Sequence, residues 1–567
     1  MKEDFKKKLL TQTAGTAEWV VFAVWVILVC VIRHFHEPWF DETQAWQIAK
    51  FASIKEILTE VCHYEGHPPL WYFVLMPFAR MGLPHKITIF AITMVFNCIS
   101  MYLLLFRSPF PRWLKCYIPF TFFIFYLQSV HTRPYCMMGL AIFLAGMFYK
   151  ERNQKTARYV LSLIFLCFTS AYGVVIAGGL CIVWTGEILR EYYQSKQYRD
   201  ILKDKRFWWL WVILICALLL YVCCFPAKDV FLGTFSSENF INRVHYFPLF
   251  IFDSTFGTVM VESAGLNFKS MIILGCVVGI LMWVMFIPLL RQNKKLLVTM
   301  IPYLMSTTFS VFVYFELHNL GIFTLFFIFV LWILFDDDME IPNIYGDLLQ
   351  KINSSFIKKM GKTIITIVFC MPLLYTAVSS YLEIVHPYGP QEILDFIKEN
   401  HIENRKILVN WKWESDNPMP WDETLPIKDK MNITLNQPLY MAPMVSIKAL
   451  GNNDNFYPYY NTCENQEQWQ VWKYTTDEEN AKIFEQWQKI GLPDLIIGTC
   501  PIEHVFSEEQ LEGVTYYWIG DYNYGKIWKF SYAEGWEHIY IRSDLLEEYP
   551  QFEIQKYGTI LTEPIQS

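Results

Sequence analysis

Between residues 17 and 384 the chain alternates long uncharged runs of apolar and aromatic residues with short stretches that hold most of its charge. The runs fall at 18–33, 86–106, 116–131, 135–149, 158–171, 173–189, 207–226, 270–290, 297–315, 319–335 and 363–383. Each approaches the roughly 20 residues that carry a helix across hydrocarbon, so together they predict about eleven transmembrane helices. Leu70 to Met81 is also apolar, but it opens on Pro68-Pro69 and stops at Gly82 and Pro84. A segment that short predicts a helix lying in, or dipping into, the membrane interface. From residue 385 the pattern changes: helical spacing at Pro390–Asn400 and Glu478–Ile490 alternates with strand signals at Ile407–Asn410, at Asp494–Gly498 and near Tyr516 and Ile539. Such alternation predicts a small α/β domain. The expected fold is mainly α, a polytopic membrane helix bundle over residues 1–384 followed by a soluble α/β domain over residues 385–567.

Composition agrees. Of 567 residues, 54% are hydrophobic and only 18% charged, too apolar a balance for a soluble enzyme of this length. The net charge of -7 is modest and the basic residues are scattered in short clusters, which argues against a nucleic-acid partner. With the N-terminus inside, Lys6–Lys8, Arg107–Lys115, Lys150–Arg158, Arg190–Arg206, Arg291–Lys295 and Lys351–Lys362 all fall on the cytoplasmic face, as the positive-inside rule requires. An odd number of spans then puts the C-terminal domain on the other side. The expectation is a multi-pass membrane protein with a cytoplasmic N-terminus and an extracytoplasmic tail. Lysine-rich Met1–Leu10 ahead of the first run reads as a retained signal anchor. Of 14 cysteines, only Cys62, Cys463 and Cys500 fall outside the predicted spans, so neither a disulfide framework nor a zinc pattern emerges. No cofactor is expected, and a divalent cation is open but finds no support in the sequence. Asn432-Ile433-Thr434 matches a glycosylation sequon.

Candidate chemistry gathers in the loop after the first span, EPWFDETQAWQIAK and then YEGHPPLWY. Asp41 and Glu42 precede a helical pattern in which Ala45, Ile48, Ala49, Ala52 and Ile57 share one face. Asp41 can cap that helix. A fixed, partly shielded carboxylate is also what a general base requires. Glu65 and His67 flank a corner stiffened by Pro68-Pro69, either a plain interfacial turn or a scaffold facing the cavity of Asp41. Two such ligands are too few for a metal site. Arg133, in SVHTRPYCMMG, stands at an outer turn poor in other basic residues. It suits a lipid phosphate through its forked donors, or it snorkels to ordinary headgroups. Tyr135, in the same turn, is a further binding candidate. Glu316 and His318, in VYFELHNLGIF, occupy a late, short outer turn, where ionisable groups face a cavity or pair with each other.

Taken together, DETQAW after the first span, HPPLWY, the RPY turn and the late outer turn opening an apolar helix resemble the GT-C superfamily of polytopic glycosyltransferases. The nearest likeness is to the bacterial branch related to protein O-mannosyltransferases and the aminoarabinose transferases of lipid A. The likeness covers residues 1–385 and rests on motif order and a shared membrane side. It implies a donor sugar on a polyprenyl phosphate, transferred with inversion to an acceptor hydroxyl on a lipid, glycan or protein. It also implies Asp41 as general base, Glu42 orienting the base or donor, Glu65 and His67 lining the cavity, and Arg133 holding the donor phosphate. His318 stands where relatives carry arginine. Two rival readings come from other classes: a transporter or flippase for a lipid-linked glycan, because charged groups near membrane faces also mark substrate pathways, and an inactive relative whose tail acts as a binding module. No internal repeat of the transporter kind is evident.

Overall fold

The structure, a computed structural model, describes residues 13–196, 198–230, 237–257, 268–345, 355–385, 390–410, 455–457, 468–469, 471–473, 476–498, 502–514, 516–527 and 532–552. Lys6–Lys8, Asn432–Thr434, Cys463 and Cys500 lie outside these residues.

Apolar runs become helices because hydrocarbon leaves backbone N–H and C=O groups no partners but one another. α1 (Thr16–Phe35) leads to α2 (Phe40–Phe51), a strap of short helical turns over residues 54–65, α3 (Leu70–Arg80) and α4 (His85–Tyr102). There follow α5 (Tyr135–Tyr149), α6 (Thr156–Cys167), α7 (Ala171–Ser195), α8 (Lys205–Cys224), α9 (Phe268–Gln292), α10 (Leu296–Phe312), α11 (Leu320–Phe335) and α12 (Ser355–Val385). Among the described residues, seven helices (α1, α4, α7, α8, α9, α11 and α12) are long and apolar enough to cross a bilayer. α5, α6 and α10 are apolar but shorter.

The remaining run, residues 116–131, is broken rather than continuous. Pro119 has no N–H to give, the Thr121 hydroxyl donates to the Ile118 carbonyl at 2.8 Å, and the chain restarts as a wide π-helical coil from Phe123 to Val130. The eleven predicted runs therefore resolve into seven long helices, three shorter ones and one interrupted stretch. The segment predicted to lie at the interface is α3, with 11 residues. It spans only about 17 Å and packs on α2 through Trp71, Leu75, Ile48 and Ala49. Arg80 closes the join, donating to the carbonyls of Ala49 and Ala52 at the end of α2, at 3.3 and 2.7 Å.

Chain reversals sort the loops between the two ends of the bundle. At one end Arg112 pairs with Glu18 (2.8 Å), Arg152 with Glu187 (2.7 Å) and Lys295 with Asp337. The other end collects residues 36–84, 131–135 and 313–319 together with the tail.

The tail forms α13 (Pro390–Glu399), β1 (Ile407–Asn410), α14 (Asp477–Ile490), β2 (Leu495–Gly498), β3 (Tyr516–Ile527) and β4 (Tyr532–Arg542). The sheet order is β1-β2-β4-β3, with β1 parallel to β2 and β4 antiparallel to both neighbours. Continuously apolar Leu495–Ile497 is buried as a central strand should be, over a core that includes Ile397, Val409, Trp487 and Ile541. This core also takes in Phe40 from the head of α2, while Trp469 and Val471 of the tail enter the cluster between α2 and α3. The tail and the first loop thus contribute side chains to common clusters.

Candidate functional site

The head of α2 sets the geometry. Its first turn leaves backbone N–H groups unsatisfied, and Glu42, at the third helical position, reaches back to accept from the Trp39 N–H at 2.7 Å. Glu42, rather than Asp41, closes the helix start. Asp41 is left pointing elsewhere: its Oδ2 accepts from Arg133 Nη1, and 42% of its side chain stays exposed, against 12% for Arg133.

Three more candidates meet at this rim. One turn along α2 from Asp41, Gln44 donates to Glu65 Oε1 at 2.8 Å. Burial pushes the Glu65 carboxyl up to about 7 against that hydrogen bond, and the nearby Asp41 charge adds to the rise. Burial, aided by the Arg133 charge, brings His67 down to about 4, so its ring is neutral at pH 7. Its Nδ1 is buried with no hydrogen-bond partner among the described residues. Gly66, with φ +64, supplies the left-handed turn that swings the chain from Glu65 to His67.

On the other flank of Arg133 lies Tyr135, its ring 5.7 Å from the guanidinium carbon and 5.6 Å from the His318 ring. Asn319 donates to the Tyr135 hydroxyl at 3.3 Å. Arg133, Tyr135 and His318 line one small cavity of about 20 Å³ with Gln128 and His131, room for a single water-sized group. The buried Gln128 amide has no hydrogen-bond partner on either of its polar atoms among the described residues.

Beneath the rim is a closed knot. His36 stands between two carboxylates, Nε2 at 2.8 Å from Glu42 Oε2 and Nδ1 at 2.6 Å from Glu383 Oε1 at the end of α12. Glu42 Oε1 accepts from the backbone and hydroxyl of Thr132, and Tyr126 donates to Glu383. Burial opposes a charge on His36, but the two carboxylates more than compensate and lift it to about 9. Burial likewise opposes the Glu42 charge, yet His36 holds that carboxyl well below its usual range. Ligand atoms of His36, Glu42 and His131 lie within 4.8 Å of one another. With both Glu42 oxygens and both His36 nitrogens engaged by protein groups, this is a satisfied ion-pair network rather than a cage shaped for a metal.

Of the residues singled out from sequence, Asp41, Glu65, His67 and Arg133 come together at the rim, and Tyr135 and His318 meet in the adjoining cavity. Glu42 faces away into the knot, where its contacts hold the helix start and residue 132. Sequence reasoning passed over His36, Gln44, Gln128 and Glu383. Glu383 carried a readable signal, as a lone carboxylate near the end of an otherwise apolar run. His36 is two residues from His34 in RHFHEPW and carried none.

A second, larger cavity of about 650 Å³ lies between α9, α11, α12 and the interrupted stretch, with Tyr117, Ile118, Met282, Phe327, Leu331 and Phe369 among its apolar walls. Residues 118–128 and α11 supply walls to both cavities. Compared with protein-family models, with curated proteins and with solved structures, the chain matches none. Fold and site define a membrane-embedded helical protein that concentrates acid, base and guanidinium groups at one end of its bundle.

Proposed function

We propose that this protein is a membrane glycosyltransferase of GT-C type, moving a sugar from a polyprenyl phosphate to an acceptor hydroxyl at the extracytoplasmic face. The observation that carries the reading is the Asp41–Arg133 pair: a half-exposed carboxylate in direct contact with a guanidinium. Inverting transfer needs both groups at one carbon, a base for the incoming hydroxyl and a cation for the departing phosphate. In the resting protein each neutralises the other. A donor phosphate would compete for Arg133 and release Asp41 to take the acceptor's proton as the acceptor oxygen attacks the anomeric carbon and the polyprenyl phosphate leaves. No acid is needed on the leaving side, because a phosphate whose charge is matched departs readily. Holding two membrane-confined substrates in line supplies much of the rate.

Several features support the remaining roles. The 650 Å³ apolar cavity beside α11 suits the isoprenoid tail. Neutral His67, whose Nδ1 has no partner among the described residues, and Glu65, poised near 7, suit hydrogen bonds to sugar hydroxyls. Tyr135 and His318 stand beside Arg133 and would neighbour a phosphate drawn to it. Basic residues gather in the loops at the end opposite the site, which under the positive-inside rule supports an outward-facing site and tail.

The same cavity would also serve a flippase, which moves the lipid intact. Incubating purified protein with a panel of polyprenyl-phosphate sugars and candidate acceptors separates the two. Released polyprenyl phosphate, absent from the Asp41→Asn variant, is the expected result. Lipid movement between leaflets without release would replace the transferase by the flippase.

A further inference from the structure

Away from the rim, three thiols converge from two distant parts of the chain. Cys62 lies in the strap, fully buried, while Cys223 and Cys224 end α8. The three sulfur atoms all lie within 4.8 Å of one another. Their two segments are stitched together along their length. Cys223 donates to the Leu58 carbonyl at 3.4 Å, Tyr64 to Asp229 at 3.0 Å, and the Ala227 N–H to the His63 carbonyl at 3.3 Å. His63 Nδ1 sits 2.5 Å from the Phe225 carbonyl. The sulfurs are therefore held as a group rather than brought near by one flexible loop.

We propose that Cys62, Cys223 and Cys224 form a three-thiolate site for a soft d10 cation of the Cu(I), Zn(II) or Cd(II) kind. Thiolate sulfur selects such ions over hard cations. Three sulfurs at this separation can surround one ion with modest side-chain adjustment, whereas a disulfide uses only two and leaves the third out. Binding involves no redox change. Each thiol gives its proton to solvent as its sulfur binds the metal. The half-buried Cys223 and Cys224 leave an approach for the ion. The chemical consequence is local. The strap ends at Glu65 and continues through Gly66 into His67, so a metal staple at Cys62 fixes the segment that carries both rim residues.

The test uses full-length protein, purified in detergent, reduced and stripped of metal. Cd(II) titration should show one equivalent bound per chain with a thiolate-to-metal absorption band in the ultraviolet. Cys62→Ser and Cys223→Ser should each weaken binding at least tenfold, while Cys216→Ser, on α8 but outside the trio, should leave it unchanged. Thermal unfolding of the metal-free variants checks that they remain folded. X-ray absorption of the Cd(II)-loaded wild type needs no variant and should report three sulfur neighbours. Stoichiometric binding that survives Cys62→Ser overturns the proposal, as does a first shell with fewer than three sulfurs. Peptide mapping of freshly isolated, unreduced protein that finds Cys62 covalently joined to Cys223 or Cys224 would make the trio a cross-link instead.

Discussion

At the rim, Asp41 leaves 42% of its side chain exposed and meets one guanidinium; one residue on, Glu42 is sealed in the knot among His36, Thr132 and Trp39. Both are carboxylates at the same helix start, and what separates them is the direction a helix gives successive side chains, about 100° apart. At the rim Asp41 keeps contact with solvent and leans on a single guanidinium, a partner that an incoming group could take over. In the knot every oxygen is already committed, and the cost of burying charge is met by geometry that an incoming substrate cannot improve. A reacting base has to give up one partner and take another, so the proposed transfer calls on the rim carboxylate and leaves the knot a structural part.

The largest difference between the two carboxylates is expected in stability. Glu42→Ala leaves His36 with one carboxylate and Thr132 and Trp39 with lost acceptors. Removing one partner from a buried charged network costs about 3–5 kcal/mol, and thermal unfolding in detergent should show a large fall. Asp41→Asn should unfold almost as the wild type does, yet lose transfer by roughly 10²–10⁴-fold, the usual worth of a positioned base. Equal losses of stability in the two variants would erase the distinction between the regions. Arg133→Lys keeps the charge but not the fork. Apparent affinity for the polyprenyl-phosphate donor should fall about tenfold, or roughly 1.4 kcal/mol, in a KM measurement with less change in kcat.

Two pH series sharpen the contrast. His36 is raised from 6.5 to about 9 in the folded protein, so its stabilising contribution is complete below pH 6.5 and disappears as pH rises through about 9. Glu383→Gln should flatten that alkaline decline in unfolding temperature. Glu65 is raised from 4.5 to about 7. Its native form holds its proton longer than the unfolded chain does, so the stability present below pH 4.5 is lost as pH rises through about 7. Glu65→Gln removes the charge that would be buried and keeps a partner for Gln44. The variant should gain a few degrees at pH 8 relative to wild type and little or nothing at pH 4, measured as melting temperature against pH.

The tail offers a related lesson. Its strands at Ile407–Asn410 and Leu495–Gly498 and its helices at Pro390–Glu399 and Asp477–Ile490 lie where apolar spacing predicted them. Trp472, whose ring meets Phe40 edge-on at 5.4 Å, gave no such warning. Its partner sits at the head of α2, and no local pattern links two residues so far apart. Residues 116–131 mark the opposite limit. Their hydropathy read as one span, whereas Pro119 and the Thr121 hydroxyl interrupt the backbone ladder there, delivering His131, Thr132 and Arg133 to the site.

The amino-acid order by itself determined the apolar helices, the short helix after Pro68-Pro69, the α/β character of the tail and the gathering of acids in the first loop. Each of these follows from periodicity or charge spacing within a few turns of chain. Helix packing is what sets Asp41 against Arg133 while Glu42 turns inward, brings Glu383 to His36 across 347 positions of sequence, and gathers Cys62 with Cys223 and Cys224. Those pairings depend on how helices pack and which side of each is buried, and a helix's own sequence restricts that choice without making it.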